Sequence, residues 1–181
     1  AKDLLQAGFS AGELKAAGYT AADLKAAGLS AAELKSLGFS AKELRNAGFS
    51  AAALKNAGFS AKDLLDAGFA AGALQRAGYS AKDLKAAGLT AAQLKAAGYS
   101  AEALRKAGYS LKDIKSAGFS TGDLIRAGFS VKDLASSGTA LDCSLDTLKA
   151  SFEAGVSASE VKARGCSITD MKAAGYDAAA L

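Results

Sequence analysis

Glycine recurs at every tenth position from Gly8 to Gly138, after which the spacing shifts by seven residues and resumes at Gly155, Gly165 and Gly175. A fixed short period is typical of a solenoid, in which each repeat is one structural unit packed against its neighbours. Each unit therefore has only ten residues in which to begin an element, bury a side chain and turn the chain.

The repeat around Ser40 predicts one short helix. Ser40 is a favourable N-cap residue, and Glu43 stands three residues later, so each side chain can accept a hydrogen bond from the other residue's backbone amide in a capping box. Gly48 supplies the left-handed residue that ends a helix at low steric cost. The helix is therefore expected to begin at Ala41 and to end close to Gly48.

Leu44 is expected at the centre of the unit, in contact with the aromatic residues on either side of the helix, Phe39 and Phe49. A helix of about six or seven residues is well below the roughly 12 to 15 at which isolated helices become even marginally stable. Stability must come from stacking, with leucine and aromatic columns as the core and the alanines before each glycine, such as Ala47 and Ala57, allowing close approach. The predicted fold is an all-α solenoid or superhelix of very short helices, one per ten-residue repeat.

The consensus A-G-[FY]-S-A-x-[DE]-L-K-x resembles the decapeptide repeat arrays of uncharacterised algal and protist proteins. The resemblance covers most of the chain and implies a repeat protein, but it implies no settled activity. The shift in glycine phase divides the chain into a repeat solenoid over residues 1–138, an insert over 139–155 and resumed repeats over 156–181.

Two segments depart from the pattern. The repeat at residues 67–76 lacks its capping box and is either a drifted repeat held by its neighbours or a flexible hinge. The insert predicts a helix longer than the others, because Leu145, Leu148 and Phe152 form an apolar face behind a capping Ser144.

The two cysteines lie in and after this insert. Cys143 comes just before the predicted long helix, and Cys166 takes an aromatic position, which suggests burial. They are either ordinary buried thiols or a disulfide, which would close a loop of about 24 residues and contribute roughly 3 kcal/mol.

The position after the leucine is usually lysine or arginine, and a basic residue near a helix end complements the helix dipole. Leu5, Leu65 and Ile125 occupy this position instead, at 60-residue spacing. A solvated position gains nothing for folding from a large apolar group, whereas the core of an interface favours one. We therefore predict that these three residues bind a protein partner, and that lysine at all three leaves stability nearly unchanged.

Composition argues against several classes of function. The chain has no histidine, which removes the commonest general base and metal ligand near neutral pH, and its serines are used as helix caps. We therefore expect no enzymatic activity, no catalytic residue, no cofactor and no metal. No uncharged run approaches the roughly 20 apolar residues that a membrane span needs.

The expected function is that of a structural scaffold or linker subunit that binds other proteins within a large assembly. The chain starts without its cap serine and ends at Leu181 inside a repeat, so its ends are expected to be covered by a partner, or the array to belong to something longer. The alternative is a modular nucleic-acid-binding protein in which variable residues such as Lys42, Asn46 and Arg76 each meet a base. The net charge of only +4, with acids and bases interleaved, disfavours this alternative.

Overall fold

The structure is a computed structural model that describes residues 1–177. Within that range it contains 17 helices and no strand. The predicted fold class, an all-α repeat with one short helix per ten residues, is confirmed. Residues 178–181 of the predicted segment 156–181 lie outside the described range.

The chain divides into two compact units, and the boundary lies between Gly88 and Leu89. The first unit contains α1 (Lys2–Gln6), α2 (Ala11–Ala16), α3 (Ala21–Ala26), α4 (Ala31–Ser36), α5 (Ala41–Asn46), α6 (Ala51–Asn56), α7 (Ala61–Asp66), α8 (Ala71–Arg76) and α9 (Ala81–Ala86). The described part of the second contains α10 (Ala91–Ala96), α11 (Ala101–Lys106), α12 (Leu111–Ser116), α13 (Thr121–Arg126), α14 (Val131–Ser136), α15 (Leu145–Glu153), α16 (Ala158–Lys162) and α17 (Ile168–Ala173). The predicted boundaries after residues 138 and 155 mark changes of repeat phase and stay a prediction.

Helix α5 shows how a regular repeat begins and ends. The Ser40 amide donates to Glu43 Oε2 at 2.7 Å, and the Glu43 amide donates to Ser40 Oγ at 3.3 Å, which completes the predicted capping box. At the other end Gly48 has φ +82°, and the Phe49 amide donates to the Leu44 carbonyl at 3.0 Å. A side chain with a Cβ would be strained at this φ, so the prediction of a left-handed glycine is confirmed.

The core of each unit is a column of leucines packed against small residues. Leu44 is 0% exposed, and so are its counterparts in most repeats. The alanine that follows the N-cap, such as Ala41, is also buried, whereas Ala47 before the glycine is only half-buried. Within each unit a typical helix packs against the next helix and the second next, as α5 does against α6 and α7. The alanine that is buried in most repeats is therefore the one that follows the N-cap, while before the glycine Ala67 and Ala127 are buried and Ala47 is not. The predicted role of Ala47 and Ala57 in close approach stays a prediction.

The aromatic column is less buried than the leucine column. Phe39 and Tyr79 are buried, but most of the other aromatic residues, including Phe49 and Phe59, are half-buried. The predicted core is therefore confirmed for leucine and only partly for the aromatic residues.

The insert is attached to the array through α13. Helix α15 packs against α13 so closely that a Cβ added at Gly122 would collide with the Asp146 carboxylate. The same carboxylate pairs with the guanidinium of Arg126. Ser151 stands where a regular repeat has leucine, is 0% exposed and donates its hydroxyl hydrogen to the Thr147 carbonyl at 2.8 Å. Unlike the regular repeats, this one therefore has a polar residue at the leucine position.

The capping boxes predict how stability depends on pH. Hydrogen bonds from the Ser or Thr side chain, then from its backbone amide, lower the pKa of the box carboxyls Glu13, Asp23, Glu33, Glu43, Asp63, Asp83 and Asp133. A pKa that is lower in the folded state gives stability that is present above the unfolded-state pKa of about 4 and is lost as the pH falls through the folded-state value. We expect the urea midpoint to stay constant from pH 7 to about 5 and to fall steeply below about pH 4.

A glutamine variant separates this titration from capping itself. Thr90 and Gln93 form a capping box with a neutral acceptor, so glutamine keeps the hydrogen bonds. The triple replacement Glu13→Gln, Glu33→Gln and Glu43→Gln should therefore show a smaller loss between pH 5 and 3 than the unchanged chain. An equal loss in both proteins would place the acid sensitivity elsewhere.

Candidate functional site

The basic residue that follows the leucine reaches the turn two repeats further along the chain. Lys25 Nζ donates hydrogen bonds to the carbonyl oxygens of Ala47 (2.9 Å) and Gly48 (2.8 Å), and it lies 4.7 Å from the ring centroid of Phe49. The ammonium therefore meets the negative end of a helix and the face of an aromatic ring in one place. We call this arrangement a cation corner: a basic side chain, the carbonyls of the turn two repeats later, and the aromatic ring that follows the glycine of that turn.

Cation corners recur within each unit. In the first unit the pairs are Lys15 with Phe39, Lys25 with Phe49, Lys35 with Phe59, Arg45 with Phe69 and Lys55 with Tyr79. In the second unit they are Lys95 with Phe119 and Arg105 with Phe129. The distance from the cationic atom to the ring centroid is 4.6 to 5.4 Å in all seven. One face of each of these rings is thus covered by a charged side chain of the chain itself.

A carboxylate from the following helix adds to the corner. The pKa of Glu43 is lowered first by its hydrogen bonds from Ser40, and the positive charge of Lys15 lowers it further. Lys35 acts in the same sense on Asp63. Carbonyl, ring and carboxylate therefore all face the basic group, so this position is an internal contact of the fold and differs from the solvated position expected from the sequence.

The three apolar residues at the basic position have a counterpart that the sequence analysis missed. Two repeats beyond Leu5 and Leu65, the aromatic position of the cation corner holds leucine as well, namely Leu29 and Leu89. At these two positions neither the cation nor the ring is present, whereas Gln75 with Tyr99 keeps the ring without the cation. The correspondence is one of sequence, between the basic position of a repeat and the aromatic position two repeats later.

Ile125 also has an apolar counterpart two repeats later, across the phase shift. Two repeats further on, the residue after Gly155 is Val156, and Ile125 and Val156 line one groove. Ile125 is 2% exposed, while Leu5 and Leu65 are half-buried. The expectation that all three are surface residues is therefore wrong for Ile125, because α15 packs over α13 there. Their role in partner binding stays a prediction.

Phe152, the one aromatic residue outside the aromatic position, also fits this pairing. It stands three residues before Gly155, where other repeats have a basic residue, and Tyr176 fills the aromatic position two repeats later. Their ring centroids are 5.2 Å apart in an edge-to-face arrangement, a favourable geometry for two aromatic rings. An aromatic pair here replaces the cation and ring.

Cys143 and Cys166 form a disulfide. Of the two alternatives that the sequence leaves open, the structure therefore contains the bonded form. Cys166 is 5% exposed and belongs to a buried cluster that includes Leu148, Val161 and Met171. The bond joins the segment before α15 to the turn before α17.

Residues 1–177 contain neither a metal-binding cluster nor a membrane span. Across this range, no group of three or more acidic or cysteine side chains is arranged to hold a metal ion. Among the 17 helices described above, none has the length and apolar character needed to cross a membrane.

The cation corner predicts a measurable coupling between Lys35 and Phe59. Lys35→Met should lower the free energy of unfolding by about 1 kcal/mol, because it removes a cation–π contact, which contributes roughly 0.5–1 kcal/mol at exposed sites, and the hydrogen bond to the Gly58 carbonyl. In the background Phe59→Leu the same change should cost less. Urea unfolding of the two single variants and the double variant measures this coupling. The exposed Lys42 is the control, and additivity at the Lys35–Phe59 pair would contradict the corner.

Comparison with known proteins identifies the repeat. The family described as Decapeptide repeat region matches residues 1–71 and 68–141. No curated protein and no solved structure matches the chain.

Proposed function

We propose that this chain, which belongs to the decapeptide repeat family, is a non-enzymatic scaffold or linker that binds other proteins within a larger assembly. The proposal rests on the observation that the hydroxyl and charged groups of the repeats form hydrogen bonds and ion pairs within the chain itself. The Ser40 hydroxyl, for example, accepts from the Glu43 amide and donates to Glu43 Oε2 at 2.7 Å. A hydroxyl committed in this way, with no histidine in the chain to act as a base, is poorly suited to nucleophilic catalysis.

The basic residues support binding to proteins over binding to nucleic acid. Many basic side chains at the position after the leucine donate to backbone carbonyls two repeats later in the same unit, namely those of Lys15, Lys25, Lys35, Arg45, Lys55, Lys95, Arg105 and Lys115. Among the more exposed basic residues, Lys62 pairs with Asp66 and Lys106 with Glu102. These contacts place basic groups against the chain's own carbonyls and carboxylates, which reduces the charge available to neutralise phosphates, and that neutralisation supplies most of the affinity for nucleic acid.

The surface that varies between repeats is the surface that is exposed. In α5 the second and sixth residues, Lys42 and Asn46, are exposed, and in α7 the same positions hold Lys62 and Asp66. These positions change from repeat to repeat, while the N-cap and leucine positions are kept in most repeats. A rigid frame with a changing outer face is how repeat proteins present an extended binding surface.

Cross-linking followed by mass spectrometry on the native assembly tests this function. We expect cross-links from exposed lysines such as Lys42, Lys62 and Lys82 to the same few proteins in repeated preparations. A chain that migrates as a free monomer in native extracts, with no cross-link to another protein, would contradict the scaffold role. Retention of the purified chain on immobilised nucleic acid that falls steeply with salt would favour the alternative.

The predicted partner residues are tested in the same assembly. Leu5→Lys with Leu65→Lys restores the residue type that most repeats have at this position, and both sites are half-buried. If these leucines bind the partner, the double variant should fold and lose cross-links. Leu5→Met with Leu65→Met keeps an apolar side chain at both positions, so it is the matched control and should keep the cross-links. Unchanged assembly of the leucine variant would move the binding surface elsewhere.

A further inference from the structure

The disulfide includes a residue at an aromatic position where the cation corner is missing. Cys166 occupies the aromatic position after Gly165, and the residue in the basic position two repeats earlier is Ala135. Neither a cation nor a ring is present in this pair. The bond from Cys143 to Cys166 links this part of the chain covalently, and unlike a cation corner it can be opened by reduction.

The bond holds α16 and α17 more than it holds α15. Helix α15 is attached to α13 independently, through close packing at Gly122 and the ion pair between Arg126 and Asp146. Helix α17 packs on α15, and Tyr176 adds its contact with the Phe152 ring and a 3.1 Å hydrogen bond to the Val156 carbonyl. Opening the bond therefore leaves α15 docked and removes a covalent constraint from the two helices that follow.

We propose that the Cys143–Cys166 disulfide is a redox latch that keeps α16 and α17 closed over α15. Cys143 is half-buried in a segment without helix, while Cys166 is buried, so Cys143 Sγ is the sulfur open to attack. The reductant is a dithiol. One of its thiolates bonds to Cys143 Sγ and releases the Cys166 thiolate, which takes up a proton. Its second thiol then displaces Cys143 as a thiol, and the dithiol leaves as a cyclic disulfide, oxidised by the same two electrons.

Opening the latch exposes apolar surface. Met171, Val161 and Leu148 are each 0% exposed in the closed state and lie in the cluster around Cys166. When α17 separates, these side chains and the inner face of Phe152 meet water. The closed state is favoured in oxidising compartments, where disulfides persist, and the open state is favoured where thiols are kept reduced.

Hydrogen exchange with and without dithiothreitol tests the latch on the whole chain. We expect reduction to raise exchange of amides in α16 and α17 by on the order of a hundredfold, the factor expected from releasing a loop of about 24 residues. Exchange in α3 to α9 should not change. Glutathione disulfide should restore the slow rates. A uniform rise over the whole chain, or no rise anywhere, would overturn the proposal, and so would free thiols found by alkylation of the oxidised chain.

A second variant keeps the test decisive if the reduced chain aggregates. Ala135→Lys with Cys166→Phe supplies the cation and ring that other repeats have, and Cys143→Ser removes the remaining thiol. This triple variant should keep α16 and α17 protected in the presence and absence of dithiothreitol. If α16 and α17 of this variant exchange as fast as they do in the reduced chain, the missing cation corner does not explain why the disulfide is needed. The readout lies within the chain, so failure of the latch and failure of the scaffold role are separate results.

Discussion

Replacing Leu44 by alanine is expected to lower the free energy of unfolding by about 2 to 5 kcal/mol. Leu44 is 0% exposed in α5, and its carbonyl also accepts from the Phe49 amide in the turn that ends the repeat. Alanine keeps the backbone bond but leaves a cavity between neighbouring helices, which relax only in part. Because a six-residue helix has little stability of its own, the loss should reach the helices packed against it.

Lys42→Ala in the same helix is the matched control. Lys42 is exposed, so its replacement should change stability by less than about 0.5 kcal/mol. Urea unfolding gives both values, and hydrogen exchange shows whether α6 and α7 lose protection together with α5. Comparable losses in the two variants would mean that the leucine column is not the core. A loss confined to α5 would mean that the repeats do not stabilise one another.

The features that were predicted correctly are those that depend on residues within one repeat. The capping box of Ser40 with Glu43 and the turn at Gly48 involve residues close together in the chain, and the chemistry of each allows few alternatives. The burial of Leu44 follows from the same local geometry. Period and composition were therefore sufficient for the fold class and for most of the helix boundaries.

The contacts that were missed join residues two repeats apart. The repeats are nearly identical, so almost all of them carry an aromatic residue at the same position. The period alone therefore does not indicate which of these aromatic residues a given lysine contacts. The information lies in the repeats that depart from the consensus. Leu5 and Leu65 match Leu29 and Leu89 only when each basic position is compared with the aromatic position two repeats further on.

Replacing Ile125 by alanine is expected to lower the free energy of unfolding by about 2 to 4 kcal/mol. Ile125 is 2% exposed in α13, beneath α15 and beside Val156. Truncating it leaves a cavity between the array and the insert, and it should weaken the docking of α15. If Ile125 were a surface residue that only binds a partner, its replacement by alanine would leave the free energy of unfolding nearly unchanged. Thermal or urea unfolding of the isolated chain therefore separates the two interpretations.

Leu5→Ala is the control, because Leu5 occupies the same position of its repeat but is half-buried. We expect it to cost about 1 kcal/mol, in proportion to the smaller apolar area removed from water. Alanine is a sharper test at residue 125 than lysine. A lysine there could extend to the carbonyls of Ala154 and Gly155, as Lys15 extends to the Leu37 carbonyl at 2.5 Å, and so hide the loss of packing. Equal small losses at both positions would make Ile125 a candidate partner residue again, whereas a large loss at Ile125 alone leaves Leu5 and Leu65 as the residues to test in the assembly.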